Sequence, residues 1–273
     1  MHPARSVILF TVSSGVGYGM LLLFGILAPL GWYPASRGLG LAVVVTALGL
    51  VTLGLLASTF HLGHPERAWR SLSQWRSSWL SREGLASLAT YVPALLLALM
   101  LFRDDGMRGW APAVAIVTAL FSAATIASTG MIYRSLKPIH QWHNGYVLPA
   151  YFAIALMTGG CWLNAFALAW GVGTNAAGGA AVIALAAAAL VKLGYWRFID
   201  HTRGAPDAGS ATGLGKLGRV RLFESPHSGD SFLLKEMGYH IARKHAAKLR
   251  RIAVDAGFSA PLVLTALPLV AGG

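Results

Sequence analysis

Seven stretches of this chain are each about 20 residues long and almost free of charge. They run from Val7 to Leu30, Gly38 to Phe60, Glu83 to Phe102, Ala113 to Tyr133, Val147 to Trp170, Ala176 to Trp196 and Ile252 to Ala271. Such a segment crosses a bilayer as a helix, because hydrocarbon offers its backbone N–H and C=O groups no partner outside the segment. The sequence therefore predicts an all-α, polytopic transmembrane helix bundle of seven spans, folded as a single integral-membrane domain over residues 1–273. Only 12% of the residues are charged, about half the share usual in soluble domains, which excludes an ordinary water-soluble enzyme. The one cysteine, Cys161, excludes a disulfide framework, a cysteine-ligated zinc site and an iron–sulfur cluster held by this chain alone.

The first run is longer than the apolar core of a secretory signal, and Pro29 follows Ala28 where a cleavage site would fall, so it reads as a retained helix. Its Gly15-Val-Gly-Tyr-Gly19 stretch lies inside the span, where glycines serve close helix packing rather than phosphate binding. Nineteen of the 22 Lys and Arg residues fall on the side of the N-terminus: Arg5, the second loop, the fourth loop, and everything from Lys192 to Arg251. Arg37, Arg103 and Arg108 make up the other side. Positive residues are retained on the cytoplasmic side, which puts the N-terminus in the cytoplasm.

The chemically dense region is His61-Leu-Gly-His-Pro-Glu-Arg-Ala-Trp-Arg70, continuing through Trp75, Trp79, Arg82 and Glu83. Steps of 3, 3 and 4 put Trp69, Leu72, Trp75 and Trp79 on one helical face, so residues 61–82 read as an interfacial amphipathic loop and helix. His61 closes the second span and Glu83 opens the third. Both therefore reach one membrane face, where an ionisable group is costly unless it pairs or moves protons. A histidine and a carboxylate at that depth can hydrogen-bond a quinone's oxygens and exchange protons with it. The alternatives are structural: His61 bonding the last carbonyls of its helix, and Glu83 complementing a helix dipole beside Arg82 or Arg67. On residue type and spacing alone these structural roles weigh more. Tyr133, Arg134, Lys137, His140, His143 and Asn144 form a second polar cluster on the same face. Its histidines sit in a short loop, so no haem is expected. Residues 197–251 form a long basic segment that reads as a docking surface for a cytoplasmic subunit, with its later half meeting membrane lipids.

Several of these segments together carry a resemblance. Met-His-Pro-Ala-Arg-Ser-Val-Ile8 with Ser14-Gly-Val-Gly-Tyr-Gly19, His61 to Arg70 with Trp79-Leu-Ser-Arg-Glu83, Met131-Ile-Tyr-Arg-Ser-Leu-Lys-Pro138, and Glu236-Met-Gly-Tyr-His-Ile-Ala-Arg-Lys-His245 occur in that order. In this the chain resembles the membrane anchor subunit of dimethyl sulfoxide reductase-type molybdoenzymes, a family that includes the cytoplasm-facing sulfite dehydrogenase relatives.

The resemblance implies a bacterial inner-membrane anchor without a metal site of its own. Such an anchor exchanges electrons between membrane quinone, ubiquinone or menaquinone, and a four-cluster iron–sulfur subunit wired to a molybdopterin catalytic subunit. Nucleic acid is not an expected partner. Carried over by position, the family's quinol-site histidine falls on His61 and its acidic partner on Glu83, which reverses the weighting of the structural roles. Arg67 and Arg82 become candidates for orienting the quinone or the carboxylate. Two departures stand out: the family's anchors usually have eight spans against the seven found here, and relatives run in either redox direction. Basic loops on the same predicted cytoplasmic face as His61 and Glu83 suit the relatives that oxidise sulfite and reduce quinone, with menaquinol-oxidising dimethyl sulfoxide reductases as the alternative. A membrane transporter is the rival from another class. The ionisable residues cluster at one face and the halves show no repeat, both of which count against it.

Overall fold

The structure is a computed structural model and describes residues 5–60, 64–137, 139–173, 175–202, 208–221, 223–224 and 244–271. His61 and residues 225–243, including Glu236 to Arg243 of the resemblance, lie outside the described residues. Six long helices follow one another: α1 (Arg5–Leu27), α2 (Arg37–Thr59), α3 (Trp79–Arg103), α4 (Ala111–Arg134), α5 (Val147–Ala169) and α6 (Asn175–His201). Each is long and apolar enough to cross a membrane. At about 1.5 Å rise per residue they reach roughly 35 Å or more, against a hydrocarbon core of about 30 Å. A short helix α7 (Ala208–Thr212) and a 3-10 turn (Leu214–Lys216) follow.

The seventh apolar run is also helical. It is built from α8 (Ala246–Val254), a π turn (Asp255–Ser259) and α9 (Ala260–Ala271). Arg250 near its start meets Asp200 at the end of α6, while Leu269 near its finish packs on Gly178 at the start of α6. The run therefore lies antiparallel to α6 over a comparable length, as a seventh crossing does. The architecture is the all-helical membrane bundle expected, with no strand among the described residues.

Glycine sets how the bundle closes. A Cβ on Gly17 would stand 2.6 Å from the Ala47 carbonyl oxygen of α2, and one on Gly19 would overlap the Ala155 carbonyl of α5. Gly159 of α5 faces Gly19 in return, and Gly25 meets Ala115 of α4. Helix α1 is thus packed backbone-to-backbone against three neighbours, the small-residue packing that substitutes for a hydrophobic driving force in lipid. Larger side chains such as Val45, Leu56, Val92, Leu99, Leu120 and Ile183 point outward as the lipid-facing belt. The membrane face away from the N-terminus is tied by Tyr33, which is buried and donates to the Leu163 carbonyl at 2.9 Å. Arg37 closes the same face, its backbone N–H donating to Asp105 at 2.6 Å.

The stretch between α2 and α3 holds a helix, though not the α-helix that the spacing of its tryptophans suggests. It is a 3-10 helix over Pro65–Leu72 followed by turns. Ser71 and Ser73 each donate back to the carbonyl three residues earlier, and Ser81 bonds the Ser71 carbonyl. Serine hydroxyls competing for the backbone in this way break the α-helical register. Trp69 and Trp75 are consequently exposed on separate turns rather than on one stripe with Leu72 and Trp79.

Candidate functional site

Glu83 is the fifth residue of α3, one turn beyond the helix entry. It is 5% exposed, so it is not a surface carboxylate complementing a helix terminus. Its Oε1 receives a 2.5 Å hydrogen bond from Thr129 of α4. The Thr129 hydroxyl also lies 3.0 Å from the Thr125 carbonyl, and Thr125 meets Thr90 of α3 at 3.5 Å between hydroxyls. A ladder of hydroxyl groups therefore joins α3 to α4 behind the carboxyl. The two helices bring Glu83 and Thr129 together because α3 enters the membrane where α4 leaves it.

Thr129 is at the same time part of a cavity wall. A cavity of about 460 Å³ lies where α1, α4, α5 and α6 meet near the N-terminal face, a volume within the range of small-molecule sites. Toward the far face both Leu23 of α1 and Ala181 of α6 close on Gly160 of α5; toward the N-terminal face lies this cavity. Its polar groups are Thr11 and Ser14 from α1, Thr129 and Tyr133 from α4, Gln141 from the following loop, Tyr151 and Thr158 from α5, and Lys192 and Tyr195 from α6. Tyr133 stacks on Tyr151 with centroids 5.7 Å apart and meets Trp142 edge-on at 5.1 Å. Tyr18 also lines the cavity; its buried hydroxyl, beside Ser87, completes no hydrogen bond of ordinary geometry among the described residues.

The loop over the cavity is anchored to α6. Tyr195 donates to the Gln141 carbonyl at 2.8 Å, and His140 bonds Thr202 at 2.7 Å while stacking on Phe198. His143 pairs with the Arg134 carbonyl at 2.6 Å. Both histidines of this loop thus have structural partners. Among the described residues there is no cluster of three or more His, Cys, Asp or Glu side chains that would hold a metal ion.

Of the residues singled out from sequence, Glu83 is placed directly behind the cavity, and His61 lies outside the described residues. Arg82 turns away from Glu83. Its Nε donates to the Trp75 carbonyl at 2.9 Å, an Nη to the Arg76 carbonyl at 2.7 Å, and its guanidinium covers the Trp79 ring. Arg67 is exposed, 3.7 Å from Glu66, which also pairs with His64. The sequence did not single out Thr129, Tyr18, Tyr151 or Tyr195, and it marked Lys192 only as a charge near a span end. A usable signal existed: tyrosines recur near the N-terminal-face ends of α4, α5 and α6 and midway along α1, where a purely lipid-facing helix needs no hydroxyl.

Over 181 residues the chain is 34% identical to a sulfite dehydrogenase subunit of Allochromatium vinosum, a match covering 58% of this chain and 53% of that protein. Over 162 residues it is 29% identical to anaerobic dimethyl sulfoxide reductase chain YnfH of Escherichia coli K12, covering 56% and 54% respectively. The chain spans about half the length of the curated relatives it matches. No solved structure matches it. Residues 1–193, which carry α1 to most of α6 and the cavity lining as far as Lys192, match the family described as DMSO reductase anchor subunit (DmsC). With that match running over well more than half of its length, this membrane-spanning helical chain belongs to the DMSO reductase anchor subunit family.

Proposed function

We propose that this chain is the quinone-reactive anchor of a heterotrimeric molybdopterin oxidoreductase, and that the cavity beside Glu83 receives the quinone ring. The observation that carries this reading is the buried Glu83 carboxyl held 2.5 Å from a hydroxyl that itself lines the cavity. The fit is chemical as well as spatial. A quinone offers a flat ring and two acceptor oxygens, and the cavity offers aromatic walls and several hydroxyl donors, the buried Tyr18 hydroxyl among them.

A quinone exchanges two electrons and two protons with its surroundings, so the protein has to supply or remove protons where the ring sits. Glu83 holds a proton at its carboxyl and Thr129 presents it to the cavity side. His61, placed by sequence at the mouth of α2 on the same face, supplies a second proton-exchanging group. Arg82 acts as a positioning residue, fixing the turn that leads into α3 and so the depth of Glu83. Arg67, exposed beside Glu66, belongs to the docking surface.

Electrons pass between the quinone and a four-cluster iron–sulfur subunit docked on the N-terminal face, and from there to a molybdopterin subunit. The loops on that face and the segment beyond α6 carry nearly all the positive charge, which supports a cytoplasmic position for them under the positive-inside rule. Partners on that side suit a sulfite dehydrogenase-type complex that reduces quinone, in keeping with the likeness to the Allochromatium vinosum protein. The likeness to YnfH supports the opposite direction, menaquinol oxidation by a dimethyl sulfoxide reductase-type complex, as the second reading.

Purification of the chain from its native membrane in mild detergent, followed by molybdenum and iron assays, tests the assignment. An iron–sulfur and a molybdopterin subunit should come with it, and the complex should reduce quinone with sulfite. Reduction of an S-oxide by menaquinol, without sulfite activity, would favour the second reading. A chain that emerges alone and metal-free would overturn both.

A further inference from the structure

Lys192 is the one charged side chain among the described residues lining the cavity. A lysine this close to the end of a span ordinarily snorkels toward water, but here aromatic rings hold its ammonium. Nζ lies 4.9 Å from the Tyr195 ring centroid and 5.3 Å from that of Trp196. The acidic residue two turns further along α6, Asp200, is already engaged: Arg250 of α8 donates to both of its carboxylate oxygens, at 2.6 and 2.9 Å. Arg250 also covers the Trp196 ring, at 5.4 Å. The Glu83 carboxyl is taken up by Thr129 on the α3–α4 side. Lys192 therefore has no carboxylate partner among the described residues, and its side chain is part of the cavity wall. An intramembrane cation left without an anionic partner marks a place where a ligand supplies the negative end.

We propose that Lys192 is the second polar pole of the ring site: it donates a hydrogen bond to the ring oxygen farther from Thr129 and favours the accumulation of negative charge there. This rests on the quinone reading above and deepens it. Glu83 and Thr129 serve one oxygen from α3 and α4, and Lys192 serves the other from α6, with α5 and its tyrosine forming the floor between them. The two poles have different jobs. The Glu83 side exchanges a proton, whereas the Lys192 side contributes fixed positive charge, which binds and orients the ring without itself being consumed.

The test uses the full chain purified in detergent and decylubiquinone labelled with carbon-13 at one ring carbonyl or the other. Binding is read by quenching of tryptophan fluorescence, and the two carbonyl stretches by infrared difference spectroscopy. In the unmodified chain both carbonyl bands should lie below those of the free quinone and differ from each other. Lys192→Met should return one band toward the free value and weaken binding on the order of 10- to 100-fold, the size of a lost hydrogen bond to a charged group. Lys192→Arg should keep both bands shifted. If Lys192→Met does not fold, Lys192→Gln, which keeps a donor but no charge, should show the same band moved part of the way. Saturable binding with affinity and bands unchanged in Lys192→Met or Lys192→Gln would overturn the role of Lys192 and leave the quinone site standing. Absence of saturable binding to the unmodified chain would overturn both.

Discussion

The hydroxyl of Thr129 stands 2.5 Å from Oε1 of Glu83 and 3.0 Å from the backbone carbonyl of Thr125, so a single proton faces two acceptors. Both contacts are satisfied at once when the carboxyl carries a proton and donates to Thr129, leaving Thr129 free to donate to Thr125. When the carboxyl is ionised, Thr129 turns its proton to Glu83 and the Thr125 carbonyl loses a partner. The pair therefore has two arrangements that differ by one proton, and Thr129 lies on the cavity wall, where the proposed function has that proton exchanged. Thr129→Val removes the hydroxyl but keeps the shape, and should slow quinone-coupled turnover about tenfold, as the loss of one hydrogen bond to a charged group does. Thr129→Ser should retain most of it. Steady-state rates with quinone for the two variants check this.

Gly19 and Gly15 lie four residues apart on α1, yet only one touches a neighbour. A Cβ at Gly19 would overlap the Ala155 carbonyl of α5, whereas nothing lies within 4 Å of a Cβ at Gly15. Gly19→Ala should destabilise the bundle by about 1–3 kcal/mol through overpacking, and Gly15→Ala should leave it unchanged. Thermal unfolding of the two variants in the same detergent compares them.

Arg82 joins two carbonyls of the α2–α3 connection to the first turn of α3. Arg82→Ala leaves those carbonyls to water, and Arg82→Lys, with a single ammonium in place of a planar fork, cannot reach both. Amide hydrogen exchange over residues 74–84 should speed up in both variants while exchange in α5 stays as it was. Protection unchanged in that stretch would mean the guanidinium does not hold the turn.

Burial pushes the phenol of Tyr33 up from its ordinary value. Its proton is held more tightly in the folded chain than in the unfolded one, so the folded state binds more protons once the pH passes about 10, where an exposed tyrosine ionises. The stability that Tyr33 contributes is thus complete below that pH and declines above it. Tyr33→Phe loses the bond to Leu163 and should cost about 1 kcal/mol near neutral pH while showing a shallower alkaline decline. Unfolding midpoints of both proteins between neutral and strongly alkaline pH give the comparison.

The helices were legible in the sequence because each requirement of a bilayer is local: length, lack of charge, and flanking arginines. The close approach of α1 to its neighbours was legible for the same reason, since Gly15 to Gly19 sits where no loop can be. The 3-10 connection was not, because the spacing of Trp69, Leu72, Trp75 and Trp79 is that of an α-helix, and what overrides it is a set of serine hydroxyls and one guanidinium acting across ten residues. Glu83 was singled out by its place at a span mouth and, as a site candidate, only through the family resemblance. Its partner Thr129 was not, since a threonine inside an apolar run is ordinarily satisfied by its own helix, and only the packing of α3 on α4 gives it a second role. Lys192 was visible as a charge near a span end, but its place on the cavity wall depends on how α6 packs beside α1 and α5.

The most direct test of the central claim replaces Glu83 with Gln in the intact complex and measures two activities on the same preparation. One is turnover with quinone, and the other is turnover with an artificial dye that meets the partner subunits directly. The amide keeps the size and a hydrogen bond to Thr129 but cannot exchange the proton. Quinone-coupled turnover should fall by about 100-fold or more, the size of an acid–base contribution, with dye-linked activity and the proportions of the three subunits unchanged. Quinone turnover at the unmodified rate in Glu83→Gln would contradict that claim.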